Sequence, residues 1–422
     1  MRIVIKLLKS SSLQAALGFG MGGAAFAIGN LLLARVMPLG EYGVFALAIA
    51  LFNTFWPLAP LGYDEASLRC NSPLDGSTFG RVTVTGLGVA LVAAVIAYLF
   101  YRVELLSAGL LIVAIVLAGL TSVACAALRR EGHQTTALIV NNSANWVIVA
   151  AGVVSLASGI HSANFALILL AGGVGAGCIA GWAVATRAQA RSGKQHQKIT
   201  AMEALNFVSI LGAGTLMLQL ERLVAPKLLG IEALASLSVL ASVAIFPFRM
   251  LRSGVGFSLV PKLRRARSVV ERDRVIRDEV GSVLAMALAA SFVVLLLSPP
   301  LTRIITGGRY ELSLFLVAAA CVNGAAKVIT GLPRVFITAC GQQADIRSLN
   351  WQSWLMIVLG IAGAWIGSGY DLAGLVAGAG IGTLAGSVPS MFLAYRVLHR
   401  SKFGEETAYS VEGPALHADQ EG

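Results

Sequence analysis

Lys327 stands about fifteen residues into an apolar run, in "AACVNGAAKVITGLPRVF" (319–336), with Asn323 one helical turn earlier on the same face. A lysine at that depth in a membrane helix costs about 2.5–3.5 kcal/mol on insertion scales, so it needs a partner or a cargo. A phosphate contact and a salt bridge to a carboxylate both satisfy it, and snorkelling toward a headgroup is the plainer alternative. Arg334 lies two turns further on and extends the same positive strip. Arg249 and Arg252 are three apart, on one helical face, where an anion entering from the inner leaflet would meet them; ordinary interfacial anchoring is their alternative. Glu221 and Arg222 are adjacent, about 100° apart around a helix, so one of the two is expected to face inward. These residue types suit an anionic cargo.

A second group suits gating or ion coupling. Glu65 and Arg69 have i,i+4 spacing beside Asp64, which allows a local ion pair or a latch at the cytoplasmic end of a span. Glu203 opens another apolar run, where it is either a proton or sodium site or a carboxylate favoured at a helix N-terminus, and Glu221 belongs to the same gating or coupling set. No Ser/His/Asp set converges, the five cysteines lack CxxC spacing, and there is no nucleotide loop ending in GK[S/T]. The expectation is a non-enzyme with no cofactor and no metal.

The elements that carry these charges are long and greasy. The chain has 422 residues, is 57% hydrophobic and only 13% charged, with mean hydropathy +0.78. Charge-free runs cover 10–34, 42–63, 82–101, 105–128, 280–302, 348–370 and 372–395. Each matches the ~20 helical residues that cross a bilayer. The charge-free stretch 132–186 is too long for one span, and "SGIHSANF" (158–165) divides it into helices near 137–157 and 163–184. Less clean spans fall at about 201–225, 231–252 and 312–334. The total is twelve, an all-α polytopic membrane protein. A soluble α/β enzyme would need polar helices between its apolar runs, and barrel strands would alternate apolar with polar.

Lys and Arg crowd alternate connections: Arg69 and Arg81, Arg129 and Arg130, Arg187 to Lys198, the run 261–280, Arg347, and both ends of the chain. The intervening connections hold few. The bias places both termini in the cytoplasm. The net charge of +11 is therefore read as loops facing anionic lipid, and nucleic acid is not expected as a partner, since the run 261–280 has no stacking aromatics. Trp182, Trp351 and Trp365 read as interfacial anchors.

The order apolar helix, charge, proline, "LG", acid, apolar helix occurs twice, in "LLLARVMPLGEYGVFALA" (31–48) and in "LMLQLERLVAPKLLGIEALASLSVL" (216–240). With six spans on each side, it suggests a duplicated bundle. The expected organisation is a first lobe at 1–190, a cytoplasmic linker at 191–200, a second lobe at 201–400 with a basic loop at 261–279, and a polar tail at 401–422. Two such lobes related by an axis along the membrane normal leave a central site that alternates its access.

The first 70 residues also carry a resemblance. Leu33, Ala34, Arg35, Pro38, Glu41, Tyr42 and Gly43, followed by Leu61, Gly62, Asp64, Ala66 and Arg69, are similar to the opening signatures of Wzx-type polysaccharide exporters. Met37 stands where leucine is usual, and Glu65 adds a charge beside Asp64. These exporters belong to the multidrug/oligosaccharidyl-lipid/polysaccharide flippase superfamily, which also holds the MATE drug exporters. The resemblance implies two six-helix lobes in a V, in the bacterial inner membrane. It implies movement of an undecaprenyl-pyrophosphate-linked oligosaccharide, with membrane lipids and polysaccharide assembly proteins as further partners. Proton or sodium coupling belongs to the same set of expectations. Two rivals stand beside it: a MATE-like cation or drug antiporter, which should hold mid-span carboxylates in its first lobe, and a glycan polymerase or ligase, which should have a large outer loop.

Overall fold

A computed structural model describes residues 11–70, 74–192, 201–265 and 269–400. The described residues are helical apart from short turns. In chain order the helices are α1 (Ser11–Val36), α2 (Leu39–Phe55), α3 (Tyr63–Cys70), α4 (Gly76–Val95), α5 (Leu105–Arg130), α6 (Gln134–Asn141), α7 (Ser143–Ser158) and α8 (Ala163–Ser192). After 193–200 follow α9 (Ala201–Leu228), α10 (Ile231–Leu240), α11 (Phe246–Arg265), α12 (Val269–Thr306), α13 (Leu314–Cys340), α14 (Gln343–Ser368) and α15 (Leu372–Arg400). A 3₁₀ turn (Trp56–Leu58) joins α2 toward α3, and single π-helical turns close α4 (Ile96–Phe100) and link α10 to α11 (Ala241–Ile245).

Among the described residues nine helical segments are long and apolar enough to cross a membrane, and ten with the bent pair α6–α7 counted as one span. Helices α1 and α9 occupy the two remaining places of the predicted twelve, but only parts of them have described side chains. The fold class is as expected: an all-α, multi-pass membrane protein. Large apolar side chains point outward along the bundle, as lipid contact requires: Leu99, Phe292 and Leu296 are all more than 60% exposed.

Three local expectations change. The span at 137–157 is not one straight helix: it bends by 42° between α6 and α7, at "NNSAN" (141–145), where asparagine and serine have weak helix propensity. The basic stretch at 261–279 is not an open loop. Helix α11 runs through Arg265, and α12, with 38 residues, is about 57 Å long, so its first turns project beyond a ~30 Å hydrocarbon layer. Lys262 and Glu279 pair between these two projecting ends. Trp182 is not a free interfacial anchor: its Nε1 donates to the Leu120 carbonyl at 2.9 Å, and its ring meets Phe79 edge-on.

Packing runs mainly within α1–α8 and within α9–α15, with α2 against α9 and α10 joining the two sets. Gly43 of α2 makes that junction close. A Cβ there would stand 2.6 Å from the Ile231 carbonyl oxygen at the start of α10. The two similar hairpins of the sequence thus touch each other. Around them Tyr42 meets Tyr310 edge-on, Arg309 donates to the Met37 carbonyl at 3.2 Å, and Tyr101 Oη donates to the Leu223 carbonyl at 2.6 Å. The bundle end that carries the turns at 37–38, 101–104, 229–230 and 307–313 is therefore closed between the two sets.

Candidate functional site

The carboxylate of Glu221 on α9 organises the interior of α9–α15. Its Oε2 accepts from Lys327 Nζ at 2.7 Å, and its Oε1 accepts from Asn323 Nδ2 at 2.8 Å. Asn323 Nδ2 also donates to the Val376 carbonyl on α15 at 2.8 Å. The three side chains thus tie α9, α13 and α15 together, and none is more than 3% exposed. Local sequence permits this closeness. Gly380 lets α15 lie on the Asn323 backbone, where a Cβ would stand 2.7 Å from Asn323 Cα. Gly324 admits the Phe248 ring of α11, which a Cβ would meet at 2.4 Å.

Four guanidinium groups surround this knot. Arg222 is buried at 3% exposure beside Glu221, and its guanidinium lies over the Phe26 ring of α1, 6.0 Å from the centroid. Arg249 Nη2 donates to the Leu218 carbonyl at 3.0 Å, and its charge is felt by both Glu221 and Lys327. Arg252 lies against Gly331 and shares its electrostatic surroundings with Arg249 and Arg334. Arg334 lies against Gly214 of α9. Among the described residues, Arg222, Arg249, Arg252, Arg334 and Lys327 share this region with the carboxylate of Glu221. Among the described residues, Glu221 is the one acid whose charge is felt by Arg222, Arg249 and Lys327.

Arg222 Nε, Arg249 Nε and Arg252 Nη1 are buried donors with no hydrogen-bond partner among the described residues. Buried charge without acceptors is costly, so such donors mark a place where an anion is accepted. Gln219 Oε1 and Asn323 Oδ1 are buried, unpartnered acceptors in the same neighbourhood, and they suit hydroxyl or amide donors.

The structure thus brings together Lys327, Asn323, Arg334, Arg249, Arg252, Arg222 and Glu221. One expectation changes here. Glu221 and Arg222 are both buried, each 3% exposed, on a helix that packs against α14 and against α2. Glu221 is the partner of Lys327. Asp64 meets α5 within the first set of helices, where Ser122 Oγ donates to its Oδ2 at 2.5 Å. Glu65 is exposed. The side chains of Arg69 and Glu203 lie outside the described residues. Phe26 and Gln219 join the site without having been singled out from sequence, and Tyr42 joins it having been noted only as part of the opening signature. Tyr42 is fully buried, its hydroxyl has no hydrogen-bond partner, and its charge interaction reaches Arg222. Gln219, three residues before Arg222, was legible as an amide inside a span; Phe26 was not, within a Gly/Ala run. Among the described residues no cluster of His, Cys, Asp or Glu could hold a metal ion.

Neither a protein-family model nor a curated protein matches the sequence. Solved structures do match in fold. An inward-facing multidrug resistance MATE family transporter of the MOP superfamily superposes with TM-score 0.63 at 11% identity, over 90% of this chain and 95% of that one. The lipid II flippase MurJ in an inward closed conformation gives TM-score 0.66 at 13% identity, over 93% and 91%. The Vibrio cholerae MATE transporter VcmN in its bent form gives 0.52 at 17% identity, over 93% and 99%. At these identities the likeness is one of fold: the chain has the architecture that MATE and MurJ transporters share.

Proposed function

We propose that this protein is a flippase that carries an undecaprenyl-pyrophosphate-linked oligosaccharide across the bacterial inner membrane by alternating access between two six-helix lobes, 1–190 and 201–400. The observation that supports it most is the set of three buried guanidinium donor atoms, on Arg222, Arg249 and Arg252, that have no partner among the described residues, beside a Glu221 already paired with Lys327. A pyrophosphate diester supplies the acceptor oxygens that the three unpartnered guanidinium atoms lack. Charge-assisted bonds of that kind are short and strong, and forked guanidinium contacts fix orientation as well. In this reading Glu221 keeps Lys327 and Asn323 in place, while the arginines meet the cargo. The closed contact of Gly43 with Ile231 is the outer gate, both termini are cytoplasmic, and the lipid tail stays in the bilayer while the head group passes between the lobes. A proton or sodium gradient is the proposed drive.

A second reading has a specific observation in its favour: most of the fold likenesses described above are to MATE transporters, including a multidrug resistance member. A carrier of organic cations needs an accessible carboxylate, and the buried Glu221 is already engaged by Lys327 and Asn323. The two readings separate in one experiment. Deleting the gene should make lipid-linked glycan accumulate on the cytoplasmic leaflet, and Arg249→Ala with Arg252→Ala should fail to reverse it. Unchanged surface glycan in the deletion, with lost drug resistance, would instead support the antiporter.

A further inference from the structure

A cavity of ≈ 150 Å³ opens in the first half of the molecule, between α2, α5, the α6–α7 bend and α8. This is well above the ~10–15 Å³ that one water requires on the same measure. Its walls carry no ionisable side chain. They carry amides, hydroxyls and two aromatic rings: Asn53, Asn141, Ser143, Asn145, Phe52 and Trp56. The rings of Phe52 and Trp56 stack, 6.3 Å between centroids at 28°. The helix break presents the amides. Asn142 takes up its own side chain in the bend, donating from Nδ2 to the Leu138 carbonyl at 2.9 Å and accepting from Asn145 Nδ2 at 3.1 Å. Asn53, Asn141 and Ser143 have no side-chain hydrogen bond to a described residue, and neither has Trp56 Nε1. Asn145 Oδ1 is also left open. Non-helical backbone at membrane depth is tolerated where it lines a cavity, and broken helices concentrate at cargo sites.

We propose that this pocket is a subsite for a neutral saccharide ring. A pyranose offers an apolar C–H face that suits an aromatic platform, and hydroxyls that suit amides able to donate and accept at once. An organic cation finds no counter-charge here. The pocket also lies beside the cation cluster. Gly22 of α1 admits the Asn142 amide, which a Cβ would meet at 2.0 Å, and one turn on, Phe26 lies under the Arg222 guanidinium. A head group with its diphosphate among the arginines would place its first sugar toward the amides. That placement rests on the flippase reading; saccharide binding itself does not.

The test uses the full chain in lipid nanodiscs, with methyl glucoside and N-acetylglucosamine as probes read by saturation-transfer NMR, ethidium as the cationic control, and inorganic pyrophosphate measured separately. Saturable transfer to a sugar is expected, weakened by about tenfold or more in Asn53→Leu and Asn145→Leu and retained in Arg303→Ala, an exposed position far from the pocket in sequence. Asn53→Gln and Asn145→Gln, which keep the amide but displace it, serve if the leucine variants do not fold. Absence of sugar binding in the wild type, equal binding in the asparagine variants, or Asn53-dependent binding of ethidium would each overturn the subsite. Sugar binding without pyrophosphate binding would remove the flippase reading and leave the subsite standing.

Discussion

The pairing of Lys327 with Glu221 makes each residue hazardous without the other. Lys327→Ala leaves a buried carboxylate among helices, and breaking a buried pair on one side is destabilising by about 3–5 kcal/mol. A large fall in melting temperature of the purified single variant is expected, with much of it recovered in Lys327→Met combined with Glu221→Gln. Arg249 and Arg252 should behave differently. Each has a buried donor atom with no partner, so Arg249→Ala and Arg252→Ala should leave melting nearly unchanged while glycan export falls; a melting loss as large as that of Lys327→Ala would contradict their assignment to cargo. The Tyr42 hydroxyl is also unpartnered and buried, so Tyr42→Phe should be neutral or slightly stabilising in the same melting assay.

At the scale of elements, contacts between helices depend on missing side chains. Gly43→Leu cannot keep α2 on the Ile231 carbonyl, so the closed end should open. Spin labels at the exposed Gly40 and Glu232 in a cysteine-free background should report a longer distance in the variant, and an unchanged distance would remove Gly43 from the gate. The last two helices are closer still: a Cβ on Gly378 would stand 2.2 Å from the Gly363 carbonyl oxygen, so Gly378→Ala should cost about 1–3 kcal/mol by overpacking. Asp75 illustrates a different device, at the aqueous start of α4. Its side chain accepts the Thr78 N–H at 2.7 Å, and that bond holds its carboxyl below the usual carboxylate range. A lowered folded pKa stabilises above the ordinary value and is lost as pH falls through it. Asp75→Asn should therefore match wild type at acid pH and melt lower near neutrality.

For the whole molecule, the described turns fall at two ends of one bundle, and the sequence assigns the basic end to the cytoplasm. Alkaline phosphatase fused after Gly159 should be active, and fused after Gly132 inactive. The reverse pattern would invert the topology and turn the Gly43 contact into a cytoplasmic gate. Most of the helical plan was legible because a bilayer demands ~20 apolar residues in a row, and that demand is written directly into composition. Three features were less so: the bend at Asn142 lies inside a run with no charge to mark it, α12 continues as helix through charged residues past the membrane, and Trp182 turns inward to the Leu120 carbonyl.

From the chain alone came the membrane class, the alternation of loops, and the suspicion attached to Lys327, Asn323, Arg222, Arg249, Arg252 and Arg334, because an ionisable group in hydrocarbon is anomalous wherever it stands. Tertiary structure decided what each one meets. Glu221 and Lys327 are 106 residues apart along the chain, as Asn53 and Asn145 are remote from each other, and no local period encodes which helix packs on which. Partner choice between helices depends on close approach at glycines such as Gly22, Gly43, Gly324 and Gly380, and only the packed bundle shows which side chain each missing Cβ admits.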